Sequence, residues 1–147
     1  MPASLQRTSR IEAPKRKRKV SLRARSGRRA KESLQMLFEG SDIDAARAAS
    51  ALGLSKTQLA ETIGIAREVF YKRERREAPR TQARLREMLE ILVRVSAWAG
   101  GAQQALAWYR AQPLAAFGGR TAESLVKSGH ATSLRDYLDH IAVGGYA

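Results

Sequence analysis

Cysteine is absent from the 147 residues, so disulfide frameworks, thiolate nucleophiles and cysteine-ligated zinc or iron–sulfur centres are excluded together. Histidine is scarce, with His130 and His140 the two in the chain. Asp136 and His140 stand four apart, the spacing of one helix face, but no second ligand pair exists to complete a metal site. Nor is there a His/acid triad pattern, and no catalytic residue, metal or cofactor is expected. No run of 18 apolar residues occurs, because Arg94 and the Gly100-Gly101 pair interrupt the most apolar stretch. The basic amino terminus also lacks the apolar segment of a secretory leader. A soluble, cytoplasmic chain with no membrane contact is therefore expected, acting by binding rather than as an enzyme.

Acid is scarce as well. Lys and Arg number 27 against 14 Asp and Glu, a net charge of +13, and an excess of that size suits a polyanion or an acidic partner surface. Residues 1–30 carry +10 of it, with eleven basic residues and Glu12 as the lone acid. They show no apolar period, so they are expected to bury too little surface to offset the entropy of ordering and to form a disordered basic arm. The run Pro14 to Val20 has the composition of a nuclear import signal and equally of a nucleic-acid patch.

From Lys31 onward apolar residues recur at three and four rather than two. Ile43, Ala46, Ala49 and Leu52 form one stripe, Leu85, Met88, Leu89, Leu92 and Val95 a second, and Leu134, Tyr137, Leu138 and Ile141 a third. The expected fold class is all-α. Glycines and prolines punctuate the stripes and give helices at about 31–39, 42–52, 56–63, 66–77, 81–99, 102–112, 121–128 and 131–142. A DNA-binding region over 31–79 is expected, followed by a second region over 80–147.

Ser55 with Gln58 three residues on is a capping box that starts a helix at Lys56. Gly64 suits a left-handed turn, and Ala60 is small enough for two helices to approach closely. Leu59, Ile63, Ile65, Val69 and Phe70 would face inward, leaving Arg67, Glu68, Tyr71, Lys72 and Arg75 outward. Arg can donate a pair of hydrogen bonds to guanine and Glu can accept one from cytosine. Arg67 and Glu68, at the start of the second helix, are thus the candidate base readers. Tyr71, Lys72 and Arg75, with Lys56 and Thr57 in the preceding helix, are candidates for backbone contact. A solvated face of Arg–Glu pairs is the bland alternative. The pattern Gln58-Leu59-Ala60-(x)3-Gly64-Ile65-(x)3-Val69-Phe70 resembles the Xre/Cro-type helix-turn-helix.

In the last third, both tryptophans fall with Tyr109 and Phe117 within twenty residues, and Trp108 is expected to anchor the core. Thr121 can cap a helix from Ala122, with Glu123 favoured in its first turn. Gly118-Gly119-Arg120-Thr121 lacks the spacing and lysine of a phosphate loop and reads as a tight turn. An Ala-Leu-x-Trp-(x)4-Pro element at Ala105–Pro113, the Gly-Gly-Arg-Thr-x-Glu-Ser-Leu turn at 118–125 and the Gly-x-Tyr-Ala terminus together resemble the Xre/MbcA/ParS toxin-binding domain. The resemblance spans roughly residues 42–147. The chain departs from it in having Leu114-Ala115-Ala116-Phe117 before the glycines and Ala122 after the threonine.

The resemblance implies an antitoxin paired with a RES-domain toxin, one that degrades NAD or transfers ADP-ribose from it, and an autorepressor that binds operator DNA. A homodimer or a larger toxin–antitoxin assembly is expected, because one helix-turn-helix buries too little DNA surface for tight specific binding. The candidate toxin contacts are Arg120, Arg135, Asp136, Asp139, His140, Tyr146 and the terminal Ala147, with Tyr146 and the terminal carboxylate entering the toxin's NAD cleft. Alternatively, Tyr146 packs back on Trp108 or Phe117 as a cap. The competing function is a plain helix-turn-helix regulator whose carboxyl-terminal half only dimerises.

Overall fold

The computed structural model describes residues 15–38, 40 and 42–144, with side chains from residue 22 onward. Among them there is no strand, only an isolated bridge between Leu114 and Arg120, and the all-α expectation holds. The helices are α1 (Lys15–Gln35), α2 (Ala45–Leu52), α3 (Lys56–Ile63), α4 (Arg73–Arg76), α5 (Pro79–Ala99), α6 (Ala102–Ala111), α7 (Ala122–Lys127) and α8 (Ala131–Ala142). Short 3₁₀ turns lie at Met36–Phe38, Arg67–Tyr71 and Ala115–Phe117.

Helix α5 is the spine. Pro79 opens it at a position where a missing N–H costs nothing, and Gly100 closes it in the left-handed conformation. Its stripe of Leu85, Met88, Leu89, Leu92 and Val95 is completely buried. At its start, Gln82 Oε1 accepts from the Ile43 N–H at 2.6 Å, while Nε2 donates to the Ile43 and Arg76 carbonyls, each at 3.0 Å. This one side chain ties α5 to the entry of α2 and the exit of α4. Buried residues on both sides of Pro79, among them Leu59, Ile63, Phe70, Leu85, Tyr109 and Leu125, belong to a single apolar cluster.

Three expectations need correction. Residues 15–30 are not a structureless arm; they form most of α1, which runs along α5. At its closest approach the seam has Gly27 against Ser96 and Ala97, with no large apolar side chain there to mark an apolar period. A Cβ at Gly27 would lie 2.5 Å from the Ala97 carbonyl oxygen and 2.7 Å from that of Ser96, so only glycine permits this approach. Gly27 and Leu34, seven apart, are buried there. The expectation for residues 1–14 lies outside the described residues.

The helix expected over 66–77 is broken. Residues 67–71 wind as a 3₁₀ turn, Lys72 is extended (φ −116°, ψ 126°), and α4 follows as a separate turn. Val69, Phe70 and Tyr71 are β-branched or aromatic, weak helix formers, and Phe70 is drawn wholly into the core. The third correction concerns Trp108, which is only partly buried; its neighbour Tyr109 is the aromatic enclosed in the core. Burial, chiefly, raises the Tyr109 phenol well above its ordinary range.

Candidate functional site

Two surfaces gather the candidate residues, one at each end of α5. The first is built by α3 and the 3₁₀ turn after it. The Ser55 side chain accepts from the Gln58 N–H at 3.1 Å, and the Gln58 side chain returns the contact to the Ser55 N–H at 2.9 Å, so the capping box is complete. Gly64 sits at φ 75°, ψ 36°, a left-handed position that a side chain would strain. The chain then turns, and Arg67, Glu68, Tyr71, Lys72 and Arg75 all emerge exposed, Tyr71 at 68%. Lys56 and Thr57 lie half-buried in the first turn of α3.

Arg67 and Glu68, the candidate base readers, pair with each other at 3.2 Å across an open surface. A hydrogen bond from its own backbone N–H, then the one from Arg67, holds the Glu68 carboxyl below its usual range. It is therefore an ionised acceptor at neutral pH, as recognition of an amino donor requires. Arg73 is held by Glu77 at 3.1 Å, whereas among the described residues Lys72, Arg75 and Arg80 have no carboxylate partner. Part of the face is thus the self-paired arrangement of the bland reading, and part is uncompensated charge.

The second surface lies where α6, the loop after it and α8 meet the end of α5. A groove of about 600 Å³ is lined by Trp98, Trp108, Pro113, Leu114, Tyr137 and Ile141, among others. Trp98 meets Trp108 edge to face at 5.6 Å, yet remains 52% exposed. Phe117 meets Tyr137 in the same way at 5.4 Å. The loop is fixed by Gly118 and Gly119, both at positive φ, and by the Leu114 N–H donating to the Arg120 carbonyl at 2.9 Å. The expected cap is present, with the Thr121 side chain accepting from the Ser124 N–H at 3.2 Å.

The candidate toxin contacts divide. Arg120 is directed inward along α7, its Nη2 donating to Ser124 Oγ at 3.0 Å and to Ser128 Oγ at 2.7 Å. Arg135 pairs with Glu90 and donates to Thr132 Oγ1 at 3.0 Å. Asp139 takes a bidentate grip from Arg94, with Nε to Oδ1 at 2.7 Å and Nη2 to Oδ2 at 3.1 Å. That hydrogen bond is the main reason the Asp139 carboxyl sits below its ordinary range and the Arg94 guanidinium above its own. These three side chains therefore brace the domain. Asp136 and His140 are exposed on α8, while Tyr146 and Ala147 lie outside the described residues. Sequence reasoning missed Glu90 and Arg94 as the partners of α8, since a charged pair 45 residues apart leaves no local signal. It also missed the groove, although the clustered aromatics were its trace.

Among the described residues no helix is long and apolar enough to cross a membrane, and no group of three or more His, Asp or Glu could hold a metal ion. Comparison with curated proteins and with solved structures found no match to the chain. Comparison with protein families did: residues 89–144 match the antitoxin Xre/MbcA/ParS C-terminal toxin-binding domain. That stretch begins within α5 and takes in α6, α7, α8 and every lining residue of the groove. Over residues 89–144 the chain thus carries a segment that matches the toxin-binding domain of the Xre/MbcA/ParS antitoxin family.

Proposed function

We propose that this chain is an antitoxin that neutralises a RES-domain toxin, one that consumes NAD or transfers ADP-ribose from it, and that it represses its own operon by binding operator DNA as a dimer or larger assembly. It acts by occupying its partners and performs no reaction of its own. The observation that carries the toxin half is the coincidence of the matched segment with an open apolar groove. Half-exposed aromatics in a concave surface are the usual anchors of protein interfaces. The toxin would seat against Trp98 and Trp108, with Asp136 and His140 on the adjoining face of α8 and the terminal Tyr146 and Ala147 reaching its NAD cleft. The DNA half is supported by the exposed Arg67, Glu68, Tyr71, Lys72 and Arg75 beside a completed capping box.

The test is co-expression of the full chain with the RES-domain product of a neighbouring reading frame. A stoichiometric complex that suppresses NAD consumption is expected. Trp98→Ala, in a half-exposed side chain the core does not need, should weaken that complex by about 2 kcal/mol while leaving operator binding intact. Arg67→Ala should do the reverse, costing about 1–3 kcal/mol of operator affinity. A lone homodimer that binds DNA and leaves the toxin active would replace this reading with that of a plain regulator.

A further inference from the structure

Between Lys15 and Lys31 the chain has ten Lys and Arg residues and no acid, all within α1. That stretch is about 25 Å of helix. Its direction is fixed by three contacts: Arg23 Nη2 donates to the Ala99 carbonyl at 3.3 Å, Gly27 abuts the Ser96 and Ala97 carbonyls, and the Phe38 ring lies 5.8 Å from the Arg86 guanidinium. As the chain ascends from 23 in α1 to 38 in the 3₁₀ turn after it, it passes α5 from 99 down to 86, so α1 and α5 are antiparallel. The cationic part of α1 therefore lies at the carboxyl end of α5. Arg67, Lys72, Arg75 and Arg80 lie at the amino end, about 25 Å away along the helix.

The described part of this second cluster is uncompensated. Arg25, Arg28 and Arg29 are exposed and have no carboxylate partner among the described residues, Glu32 one turn on included. Arg25 and Arg29 stand at i and i+4, Arg25 and Arg28 at i and i+3, spacings at which like charges destabilise a helix. The first turn adds basic residues and no acid, against the helix dipole. A polyanion laid on α1 would relieve all of this at once. A protein partner fits less well, because Leu22 is the one exposed large apolar side chain among the described residues of α1 and interfaces between proteins are built on apolar anchors. Duplex DNA presents a phosphate charge about every 1.7 Å along its axis, dense enough to offer each of these cations a partner.

We propose that α1 is a second, sequence-independent DNA surface, docked on α5 at the end remote from the helix-turn-helix, which grips the phosphate backbone of duplex about 25 Å from the stretch read by Arg67 and Glu68. The inference deepens the DNA reading above and rests on it for the choice of polyanion. The probe is a random-sequence duplex of about 30 base pairs, its affinity for the full-length protein followed against salt. Combined substitution Arg25→Gln, Arg28→Gln and Arg29→Gln should lower that affinity about tenfold or more at low salt and reduce the logarithmic salt slope by about 2 to 3. Helix content should be unchanged or raised.

Arg67→Ala should barely alter binding to the same random duplex. If it also left operator preference untouched while the triple variant behaved as stated, the helix-turn-helix reading would fall and the α1 surface would stand. An unchanged affinity and salt slope in the triple variant would overturn the α1 surface. So would loss of a co-purifying acidic protein with duplex binding intact, because the cations would then serve that partner.

Discussion

Helices α1 and α8 both lie against α5, and they are held there by opposite means. Helix α8 docks through Leu134 and Leu138, buried in the core, with a rim of ion pairs from Arg94 to Asp139 and Glu90 to Arg135. Helix α1 docks through the absence of a side chain at Gly27, through Leu34 and through one arginine capping the Ala99 carbonyl, while Arg25, Arg28 and Arg29 are exposed with no carboxylate partner among the described residues. Arg135 and Asp139 of α8 are paired within the fold, whereas Arg25, Arg28 and Arg29 of α1 leave their charge for something outside. Residues whose charge is satisfied internally set shape; those left unsatisfied are where binding chemistry should be sought.

The comparison can be broken most forcefully at α8. Leu134→Ala removes a completely buried side chain and should cost about 2–5 kcal/mol, read by denaturant unfolding, with loss of toxin binding as the groove wall shifts. Gly27→Val should come next, at about 1–3 kcal/mol, since the added carbons have only backbone to meet. Circular dichroism should show loss of helix equivalent to α1, with toxin binding retained. If Gly27→Val abolished toxin binding too, the two helices would not be independent and the contrast would fail.

Smaller effects sharpen the picture at the rim. Glu90→Gln leaves Arg135 without its charged partner and should cost about 1 kcal/mol. Asp139→Asn should cost at most about 1 kcal/mol, the carboxylate being more than half exposed. Its pH signature is definite. The folded pKa lies below the ordinary aspartate value, so the contribution is complete above that value, dwindles as pH falls below it, and is gone beneath the lowered folded pKa. The wild-type protein should therefore lose slightly more stability than the Asn variant between about pH 4 and the lowered value. Parallel acid curves for the two would show that the Arg94 grip contributes nothing in solution.

What the sequence disclosed follows the same division. The stripe from Leu85 to Val95, the caps at Ser55 and Thr121 and the turn at Gly64 were legible because each is a local pattern with a local cause. The docking of α1 was not, because its closest contact is made at Gly27 and Leu34 alone carries no periodic apolar signal. The break at Lys72 was hidden for another reason: Phe70 is drawn into a core assembled mainly from distant segments, and that pull outweighs the tendency of the flanking charged residues to continue a helix. At the candidate site, residue type correctly marked Arg67, Glu68, Tyr71, Lys72 and Arg75 as exposed. It could not separate Asp136 and His140, which face solvent, from Arg120, Arg135 and Asp139, which are held from within. That distinction depends on Glu90, Arg94, Ser124 and Ser128, whose positions only the tertiary fold supplies.

The Gln82 clamp and the shared cluster on either side of Pro79 have a consequence for the lifetime of the protein. Because the first turns of α5 close the core under α3 and α4 and its last turns carry Trp98, the two ends are expected to unfold as one cooperative unit. A ligand bound at either end then depletes the same unfolded population by mass action. Where degradation draws on that population, occupancy at one end lengthens the survival of both surfaces, and loss of a ligand at either end hastens the disappearance of both together.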